Sequence, residues 1–108
     1  MAYLDHAATT SVLPEVAAIV TQTLLETGNP SSLHKSGRHA RMVVEVAREQ
    51  VAQSLGCLPS EVIFTSGGTE SDNLGVIGLA LANPRGKHIV SARTEHEAVL
   101  ESLGFLER

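Results

Sequence analysis

At 108 residues with a formal net charge of −4, the chain is long enough for one domain with a modest core, and it carries no basic stripe to track a nucleic-acid backbone. No apolar run reaches the length of a bilayer span, and Met1–Asp5 lacks the basic-then-apolar order of a secretory signal. The single cysteine, Cys57, leaves no internal disulfide framework and fits a reducing cytoplasm, and no Cys/His spacing suits a zinc site.

Aromatic residues are limited to Tyr3, Phe64 and Phe105, so the expected core is aliphatic. Tyr3–Leu4 is a short apolar entry into a polar turn over residues 5–11. Pro14 suits the first turn of a helix, along which Val16, Ile19, Val20, Thr23 and Leu24 recur at helical spacing until Gly28 ends the run. Gly28-Asn29-Pro30-Ser31-Ser32 reads as a loop. A second helix is expected from about Gly37, with Val43, Ala47, Val51 and Leu55 on one face and Gly56 as terminator. Val62-Ile63-Phe64, inside residues 61–65, reads as a buried strand. After the turn Ser66-Gly67-Gly68 a third helix is expected, with Leu74, Ile77 and Leu81 on one side. Asn83–Gly86 breaks it, His88–Ser91 reads as a second strand, and Thr94 opens a fourth helix carrying Val99, Leu103 and Leu106. Strand, helix, strand, helix is the order of an α/β protein with a parallel sheet. Two strands do not complete such a sheet, so the chain is expected to be incomplete.

Two segments bear chemistry. Thr65-Ser66-Gly67-Gly68-Thr69-Glu70-Ser71 lies between a strand and a helix. Paired glycines let a ligand approach the backbone, the first helical turn offers unpaired N–H groups with partial positive charge, and Thr69 adds a hydroxyl. That combination suits a phosphate; a tight turn capped by Thr69 in a capping box with Asp72 is the plainer reading. The second segment is Thr94-Glu95-His96-Glu97, where Thr94 and Glu97 also have capping-box spacing and His96 falls in the first turn of a helix. Ligands of open parallel sheets bind beyond the carboxyl ends of the strands, where both segments lie. His96 there either stacks on a flat ring and moves protons, or is simply an exposed histidine. His6, His34, Lys35, Lys87 and Cys57 read as turn, surface, solvated and incidental residues, with nothing near them to make an activated amine or thiolate.

Four stretches together resemble the cysteine desulfurases, within the class V aminotransferase group of fold-type I pyridoxal-phosphate enzymes. They are Tyr3–Thr10, Gly28–His34, Ile63–Asn73 and Thr94–Leu100, in the family's order and spacing. The resemblance implies a three-layer α/β/α fold with a mainly parallel sheet. Residues 1–108 would be the N-terminal segment and the first part of the large cofactor-binding domain. It implies pyridoxal 5'-phosphate as cofactor, with Gly68 and Thr69 at its phosphate and His96 stacked on its ring as a proposed acid/base. The implied substrate is L-cysteine, which yields alanine and an enzyme persulfide whose sulfur passes to an acceptor or scaffold protein for iron–sulfur cluster assembly or tRNA thiolation. A cytoplasmic homodimer, with neither nucleic acid nor membrane as partner, is the expected setting.

The family's Schiff-base lysine, pyridine-facing aspartate, sulfur-accepting cysteine and substrate-binding arginine have no counterpart among these residues. The 108 residues alone are therefore expected to be inactive. Other readings are another class V aminotransferase or selenocysteine lyase, a non-catalytic remnant acting by dimerisation, and a generic phosphate-binding module.

Overall fold

Pro14, whose ring pre-sets a helical φ and which has no amide to leave unsatisfied, opens α1 (Pro14–Leu24) in the computed structural model, which describes residues 2–108. The other helices are α2 (Lys35–Leu55), α3 (Gly68–Ala82) and α4 (Glu97–Leu106), with a short 3-10 turn at Pro59–Glu61. The chain divides into two units, one ending at Val62 and the other spanning Ile63–Arg108.

In the first unit, α1 stops at Leu24, short of Gly28. Its apolar stripe stays in solvent: Val16 is 44% exposed and Ile19 65%. Gly28 has a different role from the expected helix stop. A Cβ there would lie 2.6 Å from the Ser36 carbonyl oxygen and 2.9 Å from Ala40 Cβ, so its missing side chain lets the loop lie against α2. The start of α2 precedes the expected Gly37, because His34 serves as N-cap, its Nδ1 accepting from the Gly37 amide at 3.3 Å. Two arginines of α2 reach back to this loop: Arg38 donates to the Leu33 carbonyl at 2.5 Å and Arg41 to that of Pro30 at 3.1 Å. Gly56 ends the helix as expected, in the left-handed conformation (φ 69°, ψ 32°). Its amide bonds to the Gln53 carbonyl and that of Cys57 to Ala52, the paired bonds of a Schellman motif. Val43 and Ala47 are half-buried, whereas Leu55 at the end of the same stripe is exposed, and Ala52 is the apolar residue that α2 buries fully. Arg48 holds the following turn to α2 by donating to the Val62 carbonyl and to Glu45.

In the second unit, α3 packs on α4. The buried residues are small: Ala98 and, one turn on, Ser102, whose hydroxyl donates to the Ala98 carbonyl at 2.8 Å. The half-buried face of α3 is Asp72, Gly75, Val76, Ile77 and Ala80. This corrects the expected stripe of Leu74, Ile77 and Leu81, of which Leu74 and Leu81 are exposed.

The expected parallel sheet is absent among the described residues. Val62 is extended (φ −95°, ψ 120°), but neither the segment around Val62–Phe64 nor His88–Ser91 pairs into a ladder. A strand needs a neighbour about 4.8 Å away to take its amides and carbonyls. Among the described residues neither segment is part of such a ladder, and Ile63 and Val90 stay exposed.

Candidate functional site

The turn that opens α3 is held by its own polar side chains. The Thr65 hydroxyl donates to the Gly67 carbonyl at 3.1 Å and meets the Ser71 hydroxyl at 2.6 Å. One oxygen of Glu70, Oε2, accepts from both the Ser66 amide at 2.7 Å and the Ser66 hydroxyl at 2.6 Å. These donors hold the Glu70 carboxyl below its ordinary value of 4.5, the Ser66 hydroxyl contributing most and the Ser66 amide next, with slight desolvation acting the other way. A carboxylate shifted in this direction keeps its bonds above the usual glutamate range and loses them as pH falls through the lowered value.

This arrangement replaces the expected capping box of Thr69 and Asp72. The N-cap is Gly67, with extended backbone (φ 169°, ψ 180°) and no side chain to cap with. The first in-helix bond runs from the Ser71 amide to the Gly67 carbonyl at 3.1 Å, so the amides of Gly68, Thr69 and Glu70 precede the ladder. A Cβ at Gly67 or Gly68 would meet nothing within 4 Å, so the approach to these amides is open. Thr69 is exposed and its hydroxyl bonds to no atom of the described residues, while its carbonyl accepts from the Asn73 side chain at 2.8 Å. Three amides and one hydroxyl therefore remain available to an anion beside the positive end of α3.

His96 is the N-cap of α4 and so sits just before the first turn. Its Nδ1 accepts from the Ala98 amide at 3.1 Å, and its carbonyl accepts from Val99 and Leu100. The expected box of Thr94 with Glu97 does not form, because Thr94 lies in a turn ahead of the helix. With Nδ1 as acceptor, the neutral ring carries its proton on Nε2, the nitrogen left to donate to another group.

Both segments belong to the Ile63–Arg108 unit. The last turns of α3 and α4 are neighbours, since Ala80, Leu81 and Leu106 line one cavity of about 250 Å³. The chain between them carries Ile89 back alongside α3, onto an open groove of about 400 Å³ that runs from Ser71 to Asn83. No hydrogen bond or ring contact joins Thr69 to His96. The remaining sequence candidates each have a local setting of their own. His6 packs edge-on against Tyr3, with ring centroids 5.3 Å apart; His34 caps α2; Lys35 and Lys87 are exposed; Cys57 is half-buried. Glu70 was missed by the sequence reading. The signal was a serine four residues before a glutamate, across a glycine pair.

The sequence profile of the family described as "Aminotransferase class-V" matches residues 2–108. Among curated relatives, "Cysteine desulfurase IscS" of Dictyoglomus turgidum is 49% identical over 108 residues, covering 98% of this chain and 27% of the relative. "IscS-like cysteine desulfurase" of Mycobacterium tuberculosis is 54% identical over 113 residues, covering 98% of this chain and 28% of the relative. "Cysteine desulfurase IscS" of Enterobacter sp. (strain 638) is 48% identical over 111 residues, with the same two coverages of 98% and 28%. The chain thus spans just over a quarter of the length of these relatives. A match along residues 2–108 leaves one assignment: the chain belongs to the class-V aminotransferase family.

Proposed function

We propose that this chain supplies the phosphate cradle and the ring-facing histidine of a pyridoxal-phosphate-dependent cysteine desulfurase. The observation that carries the reading is the set of unspent donors at the start of α3: the Gly68 and Thr69 amides and the Thr69 hydroxyl, beside a glycine pair with open space over it. These residues fit a doubly charged phosphate, which needs several converging N–H and O–H donors and no side chain in its way. Thr69 and His96 lie at the starts of two helices of one unit that pack on each other, which supports their serving one ligand.

In this reading Gly68 and Thr69 bind and orient the phosphate tail. His96 lies against the ring, its plane fixed because the Ala98 amide ties Nδ1 and leaves Nε2 to hold or pass a proton. The chemistry supplied by the bound cofactor is an electron sink during cleavage of the carbon–sulfur bond of L-cysteine. The family fold is the three-layer α/β/α type with a mainly parallel sheet, in which these residues form the N-terminal segment and the first part of the large domain. The names of the relatives support L-cysteine as substrate. The product sulfur is proposed to pass to an acceptor or scaffold protein for iron–sulfur assembly or tRNA thiolation, within a cytoplasmic homodimer. The 108 residues alone are expected to release no sulfide from L-cysteine.

The test uses 4'-deoxypyridoxine 5'-phosphate, which keeps the ring and phosphate but has no aldehyde to react with Lys35 or Lys87. The protein should bind it in preference to unphosphorylated 4'-deoxypyridoxine. Thr69→Ala should weaken binding roughly tenfold or more, the worth of one hydrogen bond to a charged group. Equal affinity for the two compounds would refute the reading.

A further inference from the structure

Glu70 presents a contradiction that the phosphate reading leaves standing. It is the third residue of α3, so a full negative charge sits at the mouth of the cradle meant for an anion. Repulsion between like charges there would weaken phosphate binding. Yet both hydrogen bonds to its Oε2 come from one residue, Ser66, immediately before the glycine pair.

Resting on the cofactor-phosphate reading above, we propose that Glu70 is a positioning residue: by gripping Ser66 it fixes the turn so that the Gly68 and Thr69 donors converge on the phosphate. Gly67 and Gly68 have no Cβ, and neither position is confined by neighbouring atoms within 4 Å. Two such residues in series form a hinge with a large conformational entropy to lose on binding. A clamp on each side of the hinge removes that freedom beforehand. Thr65 grips the Gly67 carbonyl and Ser71 from one side, and Glu70 grips Ser66 through backbone and side chain from within the helix. Donors held in place before the ligand arrives bind it more tightly than donors that must be ordered by it.

The two roles of Glu70 predict opposite signs, which makes the question decidable. Glu70→Ala and Glu70→Gln both remove the charge; the glutamine keeps one acceptor for Ser66 and the alanine keeps none. If positioning governs, Glu70→Ala should weaken binding of 4'-deoxypyridoxine 5'-phosphate about tenfold, as expected for the loss of bonds to a charged acceptor. Glu70→Gln should fall between it and the parent. Affinity for unphosphorylated 4'-deoxypyridoxine should not change in either variant, a separation that general loss of structure would not give. Exchange of the Ser66 amide hydrogen should accelerate in Glu70→Ala. Should the alanine variant lose helix by circular dichroism, the glutamine variant carries the test. Variants that bind the phosphorylated compound as tightly as the parent, or more tightly, overturn the proposal. A parent protein that fails to prefer the phosphorylated compound overturns instead the cofactor-phosphate reading, and the positioning role falls with it.

Discussion

Replacing Gly37 by alanine should destabilise the first unit, although the change adds a good helix former to a helix. Gly37 is buried in the first turn of α2. A Cβ there would lie 2.7 Å from the Asn29 carbonyl oxygen and 2.7 Å from Ser32 Cβ, and closer still to the Ser32 carbonyl oxygen. Ordinary contact begins near 3.4 Å, so the loop would have to retreat by most of an ångström. It is poorly placed to do so. The Asn29 carbonyl already accepts the Ser32 amide at 2.9 Å, its side chain accepts the Ser31 amide at 2.9 Å, and Arg38 and Arg41 pin Leu33 and Pro30. Overpacking against backbone costs about 1–3 kcal/mol, and alanine returns at most about 1 kcal/mol of helix propensity. A net loss of about 1–2 kcal/mol corresponds to roughly tenfold faster amide exchange along α2. The control is Gly78→Ala in α3, exposed and with nothing within 4 Å of a new Cβ, which should slow exchange along its own helix. An α2 at least as well protected in Gly37→Ala as in the parent would refute the steric argument.

His96 should separate into a cap and a ring: His96→Ala removes both and destabilises α4 by about 1 kcal/mol, measured by exchange of the Ala98 amide, whereas His96→Asn keeps an acceptor for that amide. Both should weaken 4'-deoxypyridoxine 5'-phosphate binding to a similar extent, and retention of binding in the asparagine variant would show that the ring makes no contact with the ligand. Because Ser66 lowers the Glu70 pKa, an NMR titration should find the Glu70 carboxyl and the Ser66 amide moving together with a midpoint below 4.5; a midpoint at or above it would mean the paired bonds do not persist in solution.

Features that depend on a few adjacent residues were legible in the sequence. Pro14 opens α1 and Gly56 closes α2, because a fixed φ and a left-handed φ are properties of single residues. The caps were misplaced for a related reason. Thr69 and Thr94 satisfy a spacing rule, but the rule does not say which of several candidates wins. Glycine and histidine won at Gly67 and His96. Histidine is not among the favoured capping residues, and here a ring nitrogen does what a carboxylate or hydroxyl commonly does. The stripe of α3 was misread because the helix is apolar on every side from Leu74 to Ala82, so periodicity leaves its inward face undetermined there.

The sheet differs from the helices for a physical reason, and the contrast bears on the site. A helix satisfies its own backbone; a strand cannot, and Ile63, Phe64, Ile89 and Val90 have the β-prone character of strands without the ladder that would bury them. The anion-binding capacity proposed here does not depend on that ladder. It arises from amides that a helix leaves unpaired at its own start, from the hydroxyl of Thr69, and from a turn held by Thr65, Ser66, Glu70 and Ser71, all within seven consecutive residues. The ring contact is different in kind, because His96 reaches the same ligand only if the path over Asn83–Glu95 returns it beside the start of α3. Phosphate recognition should therefore be the more robust half of the site, and ring recognition the half that a displaced segment around Ile89 and Val90 would abolish first.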